Sequence, residues 1–263
     1  MRALIYERFG INLTEQKRSL LVSRLQSLLK RSDFASFGQY YQHLANEPGE
    51  QALGALVDHI TTNHTFFNRE KAHFEYFSKV ALPQVAERLR QLGRRDLRIW
   101  CAGCSSGEEP YMLLMLMLEY FGSEYKQWDA GILATDISRR ALDKAERGIY
   151  NEEQVAAVPA ELRNKYFRRT PDKNWEIAAQ VRQEATFRRF NLMNAAFPFK
   201  RPFQIIFCRN VMIYFDQKTR DGLTTRFHQC LEPKGYFFIG HSESLSRDLG
   251  MFNYQQPAVY QKL

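Results

Sequence analysis

The chain has 263 residues, of which 44% are hydrophobic and 14% aromatic, a composition that supports one large domain and a second, smaller one. No apolar run approaches the about 20 residues that a membrane-spanning helix needs, and the N-terminus lacks the apolar stretch of a signal peptide. These features exclude membrane insertion and predict a cytoplasmic protein. The formal net charge of +8 is compatible with nucleic acid, a membrane surface or an acidic protein as partner.

The chain up to about residue 95 is predicted to be helical, because apolar residues recur at helical spacing and runs of β-branched residues are scarce. Thr14 and Ser36 are suited to cap helix N-termini, and Pro48 with Gly49 marks a turn. The predicted helices cover residues 14–30, 36–44, 53–60 and 70–92. We assign residues 1–68 to a helical N-terminal domain and residues 69–263 to a second domain.

Basic residues are concentrated in the first of these helices. Lys17, Arg24 and Arg31 follow one another at intervals of seven residues, so that they lie along one edge of the helix. Such a stripe is typical either of a solvated flank or of a docking surface for an acidic partner.

Beyond residue 95 the pattern changes to strands that alternate with helices. Predicted strands cover residues 97–102, 132–135, 203–208, 236–240 and 259–262, and predicted helices cover 108–121, 138–147 and 217–231. This alternation predicts an α/β fold with right-handed crossovers and a mostly parallel sheet.

One segment interrupts the alternation. Residues 150–185 contain no strong strand–helix unit, but 174–177 and 180–182 are predicted to be short strands joined by a turn at Ala178 and Ala179. We therefore expect a small inserted β subdomain over residues 150–185.

A glycine-containing loop follows the first predicted strand. The chain passes from 97–102 through Gly103 and Gly107 directly into the helix that begins at Glu108. Glycines let the backbone approach a ligand closely, and a helix start offers N–H donors. The loop is neither a complete GxGxxG nor a phosphate loop, so a tight structural turn is an equally good interpretation of it alone.

Polar residues also end the next two central strands. Asp136 follows the strand at 132–135, where an acidic side chain can accept both hydroxyls of a ribose. Arg209 and Asn210 follow the strand at 203–208, and Tyr214 comes one helical turn later. Because ligands of open α/β sheets bind at the carboxyl ends of the strands, these side chains are expected to converge on one crevice.

The cysteines and histidines give no metal pattern. Cys101 and Cys104 form the only CxxC, and neither Cys208 nor Cys230 belongs to the second CxxC that a zinc ribbon requires. The six histidines include no pair with convincing metal spacing, although His64 and His241 could lie near the cleft. We predict no bound metal and reduced thiols.

Together these motifs resemble the CheR-type chemoreceptor glutamate O-methyltransferases, and the resemblance extends over nearly the whole chain. The matching stretches are TTNHTFFNRE at 61–70, SSGEEPY at 105–111, ATDIS at 134–138, NL at 191–192, CRNVMIYF at 208–215 and GHSE at 240–243. The resemblance implies a Rossmann-like S-adenosylmethionine methyltransferase sheet with a small inserted β subdomain, preceded by an all-α N-terminal domain. It implies S-adenosylmethionine as cofactor and S-adenosylhomocysteine as product.

The resemblance also implies roles for individual residues. The implied cofactor-binding residues are Asn63, Thr65, Arg69, Glu108, Asp136, Asn191, Leu192, Arg209 and Asn210. Among them, Asp136 would hold the ribose, Asn191 and Leu192 would flank the adenine, and Arg209 and Asn210 would lie at the methionine end. Arg69 and Tyr214 would stand nearest the transferred methyl group and are the implied catalytic residues.

The chemistry of the implied reaction agrees with the absence of a catalytic triad. A glutamate carboxylate has a pKa of about 4.3 and is ionised at neutral pH, so it needs no general base. The enzyme must instead align the carboxylate with the methyl group and exclude water. Arg69 would position the carboxylate through paired hydrogen bonds, and the hydroxyl of Tyr214 would orient it.

The implied partner is the cytoplasmic helical domain of a chemoreceptor, which would bind the basic helix that carries Lys17, Arg24 and Arg31. We expect the enzyme to be a monomer and to bind no nucleic acid. In some relatives the inserted module binds the receptor's C-terminal tail by strand addition. The short turn at Ala178 and Ala179 lacks a glycine-rich extension and predicts recognition independent of that tail.

Two other functions share some of these features. A nucleic-acid methyltransferase would use the same cofactor fold and the positive charge, although Asn210 and Tyr214 only loosely match the Asn-Pro-Pro-Tyr of amine methylation. A non-catalytic receptor-binding adaptor would need neither Arg69 nor Tyr214.

Overall fold

The computed structural model describes residues 1–13, 18–30, 34–46, 50–60, 64–246 and 250–263. Its α-helices are α1 (Arg2–Phe9), α2 (Arg18–Leu29), α3 (Phe37–Asn46), α4 (Glu50–Ile60), α5 (Lys71–Tyr76), α6 (Leu82–Gln91), α7 (Glu108–Phe121), α8 (Arg139–Arg147), α9 (Glu152–Val155), α10 (Ala160–Tyr166), α11 (Ala179–Arg182) and α12 (Gln217–Cys230). Its strands are β1 (Asp96–Ala102), β2 (Asp129–Asp136), β3 (Ile149–Tyr150), β4 (Phe167–Arg169), β5 (Trp175–Ile177), β6 (Ala185–Arg189), β7 (Phe203–Cys208), β8 (Leu231–Ile239), β9 (Phe252–Gln256) and β10 (Val259–Lys262). Within these residues no helix is long and apolar enough to span a bilayer.

The N-terminal helices α1 to α4 share a hydrophobic core of their own. Their buried apolar residues are Ile5, Phe9, Leu25, Leu28, Tyr40, Leu44, Leu56, Val57 and Ile60. The cap predicted at Ser36 is present, because its Oγ accepts the N–H of Gln39 at 3.2 Å. The predicted cap at Thr14 and the turn at 48–49 lie outside the described residues.

The helix predicted over 70–92 is present but changes pitch in the middle. Between α5 and α6, residues Phe77–Ala81 form a π-helical turn. Pro83 lies in the first turn of α6, where its missing N–H removes a hydrogen bond to the preceding turn. The wider π turn fits this break in the bonding pattern.

The main sheet has seven strands in the order β6-β2-β1-β7-β8-β10-β9. The pairs from β6 to β8 are parallel, and β10 pairs antiparallel with β8 and β9. The predicted α/β fold with a mostly parallel sheet is therefore confirmed. The chain leaves β1 toward β2 on one side and later returns to β7 on the other side, which creates the topological switch point where such sheets bind ligands.

Both faces of the sheet are covered. Along β1, Ile99 and Cys101 face a core built with α5, α6, α7 and the inserted segment, whereas Trp100 and Ala102 face the aromatic cluster beside α12. This two-residue alternation with apolar side chains on both faces is expected of a parallel strand between helical layers.

The inserted segment forms a three-stranded antiparallel sheet in the order β3-β5-β4. The strand predicted at 174–177 is present as β5, but the prediction of a strand at 180–182 was wrong, because these residues form α11. The partners of β5 are β3 and β4, so the turn at Ala178 and Ala179 leads into a helix.

The helical region contacts the sheet region through α4 and α8. Ser138, which caps α8 by accepting the N–H of Ala141 at 3.1 Å, donates its hydroxyl to Oδ1 of Asp58 at 2.5 Å. Arg140 donates to the carbonyl of Asp58 at 2.8 Å. The hydrophobic clusters divide between Ile60 and Phe67, and the domain boundary at residue 68 stays a prediction.

Candidate active site

A cavity of about 220 Å³ lies at the carboxyl ends of β1, β2 and β7. The strand-end loops that line it are Gly103–Ser105 after β1, Asp136 and Ile137 at the end of β2, and Arg209–Val211 after β7. A second segment, residues 6–13, which we call the N-terminal strap, contributes Phe9, Ile11 and Leu13 to the lining. Residues 64–69 supply His64, Thr65, Phe66 and Arg69.

Most of the residues singled out in the sequence meet at this cavity. The predicted residues in its lining are Thr65, Arg69, Asp136, Asn191, Leu192, Arg209, Asn210 and Tyr214. Asn63 lies outside the described residues. His64 is in the lining, whereas His241 is not.

Glu108 is not brought to the cavity. Its side chain is fully buried and accepts hydrogen bonds from the hydroxyl of Ser106 at 2.8 and 3.0 Å and from Gln154 at 3.4 Å. Its neighbour Glu109 lines the cavity instead. Successive residues of a helix point about 100° apart, so only one of the two adjacent glutamates at the start of α7 can face the ligand.

Glycine is required where the loops after β1 and β7 approach each other. Gly103 has a φ of 82°, and a Cβ there would lie 2.3 Å from Cγ2 of Val211. The N–H groups of Gly103 and Cys104 both donate to the carbonyl of Thr135, at 2.7 and 2.9 Å. The loop is thereby fixed with its backbone close to the cavity.

Asp136 is held by backbone N–H groups on both of its oxygens. Oδ1 accepts from Ser138 and Oδ2 accepts from Ser105, each at 2.8 Å. Burial raises the pKa of this carboxyl, although the backbone N–H groups oppose that effect. Since a carboxylate can accept about four hydrogen bonds, capacity remains for two hydroxyls. Ser138 caps α8, so Asp136 is not needed as the cap.

Arg209 forms the centre of a buried charge cluster. Only 3% of its side chain is exposed, and its guanidinium contacts two carboxylates, Glu109 at 2.9 Å and Glu70 at 3.1 Å. It also donates to the carbonyl of Arg69 and lies 5.3 Å from the centre of the Phe74 ring. Two carboxylates thus share one cation, and the charge of Arg209 is already neutralised within the protein.

Glu70 and Glu109 differ in protonation tendency although both contact Arg209. Burial raises the pKa of Glu109. Burial acts in the same direction on Glu70, but contacts from His73, Arg209 and Asn210 outweigh it and hold the pKa of Glu70 well below its usual range. Glu70 is therefore a firmly ionised partner of Arg209.

Arg69 has a different environment from Arg209. Its Nη1 donates to the carbonyl of His64 at 2.8 Å, and its guanidinium lies 5.9 Å from the centre of the Phe66 ring. Among the residues that the structure describes, it forms no ion pair with a carboxylate. Counted over those residues, one of its five N–H donors is engaged.

Tyr214 lies on a short 3-10 turn, Met212–Tyr214, that another buried acid stabilises. The carboxylate of Glu243 accepts the N–H groups of Gly240 at 2.5 Å, Asn210 at 2.9 Å and Ile213 at 3.1 Å. Sequence reasoning assigned no role to Glu70, Glu109 or Glu243. Their positions in the matched motifs could have identified two of them, since Glu70 follows Arg69 directly and Glu243 ends the GHSE stretch.

The N-terminal strap contacts two of the predicted site residues directly. Asn191 donates from Nδ2 to the carbonyl of Arg8 at 2.8 Å, and the N–H of Asn12 donates to the carbonyl of Tyr214 at 2.8 Å. The hydroxyl of Tyr6 also donates to Asp216 at 2.6 Å. No motif in the sequence indicated that this segment lines the cavity.

The basic stripe is only partly described. Lys17 and Arg31 lie outside the described residues. Arg24 is half-buried and lines the cavity, with Nη1 donating to the carbonyl of Ile60 at 2.6 Å. Its guanidinium therefore lies at the site itself.

Glu70, His73 and His241 offer possible metal-ligand atoms within 4.8 Å of one another. The oxygens of Glu70 already accept from Arg209, Asn210 and the N–H of His241, at 3.1 to 3.3 Å. A cation there would also meet the guanidinium of Arg209. These contacts favour a hydrogen-bonded network over a metal site.

Comparison with known proteins agrees with this geometry. Residues 1–61 match the family model of the CheR methyltransferase all-alpha domain, and residues 63–260 match that of the CheR methyltransferase SAM-binding domain. The chain is 41% identical over 98% of its length to a chemotaxis protein methyltransferase of Borreliella burgdorferi, covering 91% of that protein. It is 35% identical over 98% of its length to the chemotaxis protein methyltransferase of Escherichia coli, covering 87% of it.

These matches do not favour a nucleic-acid methyltransferase or an adaptor. The residues at the cavity also fit the cofactor that the SAM-binding domain implies, since Gly103 admits close backbone approach and Asp136 retains acceptor capacity. The chain belongs to the CheR family of S-adenosylmethionine-dependent methyltransferases.

Proposed function

We propose that this protein transfers a methyl group from S-adenosylmethionine to glutamate carboxylates of bacterial chemoreceptors, forming glutamyl methyl esters during chemotactic adaptation. The observation that carries the proposal is the contrast between two arginines at one cavity. Arg209 is neutralised by Glu70 and Glu109, whereas Arg69 forms no ion pair among the described residues. An arginine without such a pair, at the same cavity as Tyr214, suits a carboxylate acceptor.

The strand-end loops support the cofactor roles that the family resemblance implies. When bound, S-adenosylmethionine would supply a methyl group on a positively charged sulfur. Asp136 would hold the ribose hydroxyls through its remaining acceptor capacity, and Asn191 and Leu192 would flank the adenine. Arg209 and Asn210 would contribute at the methionine end. Glu109, rather than Glu108, is the acidic residue of α7 that faces this cavity.

The acceptor carboxylate arrives ionised, so the protein needs to orient it and to keep water away. Arg69 aims the carboxylate with paired N–H donors, and Tyr214 orients it through its hydroxyl. Phe9, Ile11, Leu13 and Phe66 line the cavity with apolar surface. A dry site favours this step because opposite charges disappear as the anion meets the sulfonium.

The proposed partner is the cytoplasmic helical domain of a chemoreceptor. Helix α2 would dock beside the cavity, with Lys17, Arg24 and Arg31 facing the acidic receptor helices. Arg24 supports this proposal, because it belongs to α2 and also lines the cavity. Recognition that does not depend on the receptor's C-terminal tail stays a prediction.

The test is transfer of radiolabel from S-adenosylmethionine to receptor cytoplasmic fragments. We expect base-labile label in the wild type, a drop of about 100-fold or more in kcat for Arg69→Ala, and a smaller drop for Tyr214→Phe. Arg139→Ala, on the exposed face of α8 beside Asp143, is the control and should keep wild-type activity. Absence of base-labile label from every receptor fragment would contradict the proposal.

A further inference from the structure

Glu70 is not in the cavity lining, yet it contacts two residues that are, Arg209 and Asn210. It follows Arg69 directly and precedes helix α5 with a φ of 57°. This left-handed conformation is uncommon for a residue with a side chain because it is sterically strained. The surrounding contacts must therefore fix the backbone of this turn.

The carboxylate of Glu70 joins three separate segments. Its Oε2 accepts from Nη2 and Nε of Arg209, at 3.1 and 3.3 Å. Its Oε1 accepts from Nδ2 of Asn210 at 3.2 Å and from the N–H of His241 at 3.3 Å. The turn after Arg69, the loop after β7 and the loop after β8 are thus tied to one group.

Arg209 makes a second contact with the same turn, this time with its backbone. Nη2 of Arg209 donates to the carbonyl of Arg69, while Nη1 is held by Glu109 at 2.9 Å. Arg209 is therefore clamped between α7 and the turn of residues 69–70. Through this clamp the backbone of Arg69 is fixed relative to the strand-end loops.

From this geometry we infer that Glu70 is a positioning residue for methyl transfer: it sets the placement of Arg69 relative to the cofactor side by locking Arg209 and Asn210. The inference rests on the proposed function, because it assigns Arg69 to the acceptor carboxylate. Glu70 itself does not touch either substrate. Its contribution is alignment, to which transfer rates are steeply sensitive.

His73 packs against the Glu70 carboxylate and so supports the same contacts. It is fully buried, its Nδ1 lies 3.3 Å from Oε2 of Glu70, and its ring centre lies 4.5 Å from that of His241. The buried imidazole limits the directions in which the Glu70 carboxylate can move. The turn that carries Arg69 consequently has one preferred arrangement.

The experiment compares Glu70→Gln with wild type in methyl transfer to receptor fragments and in calorimetric binding of S-adenosylmethionine and S-adenosylhomocysteine. We expect kcat to fall about 10- to 100-fold, while both affinities stay within about threefold because Glu109 still holds Arg209 and Glu243 still holds the backbone of Asn210. Glu75→Gln is the matched control, since Glu75 lies on helix α5, which follows Glu70, in an exposed pair with Lys71 at 3.2 Å, and it should behave as wild type.

A double-mutant cycle with Arg69→Ala separates positioning from mere support of the fold. If Glu70 acts through Arg69, the double variant should lose no more activity than Arg69→Ala alone. Independent, multiplicative losses would overturn the inference, as would a Glu70→Gln variant with unchanged kcat. A wild type without transfer activity would instead refute the proposed function.

Glu70→Asp covers the case in which Glu70→Gln folds poorly. It keeps the charge beside Arg209 but is one methylene shorter, so it should fold and show an intermediate kcat with unchanged cofactor affinity. Equal kcat for Glu70→Asp and wild type would contradict the inference. A fall confined to cofactor affinity would contradict it as well.

Discussion

The strand-end loops and the N-terminal strap line the same cavity but are held in place by different interactions. Gly103–Ser105, Asp136 and Arg209 extend from neighbouring parallel strands whose register brings their ends together. The strap reaches the cavity through contacts between residues far apart in the chain, such as Asn191 with Arg8. The sheet therefore presets the cofactor side, whereas the strap depends on a few hydrogen bonds and apolar contacts.

The largest effect is expected on the sheet side. Asp136→Asn should weaken cofactor binding by about 100-fold or more, because hydrogen bonds to a charged acceptor contribute roughly 1.5–3 kcal/mol each. Calorimetric titration with S-adenosylhomocysteine measures this change. Asp143→Asn, on the exposed surface of α8, is the control. Equal affinities of Asp136→Asn and wild type would contradict a role for Asp136 in cofactor binding.

The strap can be perturbed at Gly10, for which the chain offers a matched control. Gly10 and Gly93 both have a φ of 68°, but a Cβ on Gly10 would lie 2.2 Å from Sδ of Met193, whereas one on Gly93 would meet nothing within 4 Å. Gly93→Ala should cost about 1 kcal/mol of unfolding free energy from backbone strain alone.

Gly10→Ala should cost more than Gly93→Ala, because Met193 must also move, and it should lower cofactor affinity several-fold. Denaturant unfolding and calorimetry measure the two quantities. Identical behaviour of the two variants would show that the strap has no part in holding the cavity closed.

The smallest effect concerns His73, which lies where the turn carrying Arg69 meets the sheet. Burial lowers the pKa of His73, so the unfolded chain takes up a proton near pH 6.5 before the folded protein does. This contribution to stability is present above pH 6.5 and is lost as the pH falls below it, by at most about 1.4 kcal/mol per pH unit. His73→Phe should flatten the decline in denaturant midpoint between pH 7 and 5, and an unchanged slope would contradict the assignment.

Strong local patterns made much of the sheet predictable. The strands predicted at 203–208 and 259–262 agree with β7 and β10, whereas the antiparallel direction of β10 was not predicted. The strand β6, with the sequence ATFRR at an edge of the sheet, lacks such a run and was missed. Residues 180–182 are too few to separate a strand period from a helical one, and they form α11.

At the site, the sequence indicated the strand ends but not the side chains that join them. Which of Glu108 and Glu109 faces the cavity depends on the rotation of α7 about its axis, which one sequence does not give. The contacts of Glu70 with Arg209 and of Asn12 with Tyr214 join residues 139 and 202 positions apart, respectively. Pairings of this kind depend on the tertiary fold, and no local spacing predicts them.

The central claim is that a glutamate carboxylate receives the methyl group at the cavity between Arg69 and Asp136. The most direct measurement is mass-spectrometric mapping of a receptor cytoplasmic fragment after incubation with isotopically labelled S-adenosylmethionine. The account predicts label on glutamate side chains that mild base removes and that forms about 100-fold or more slowly when the enzyme carries Arg69→Ala. Label on lysine or another nitrogen, or base-stable label that persists with Arg69→Ala, would contradict it.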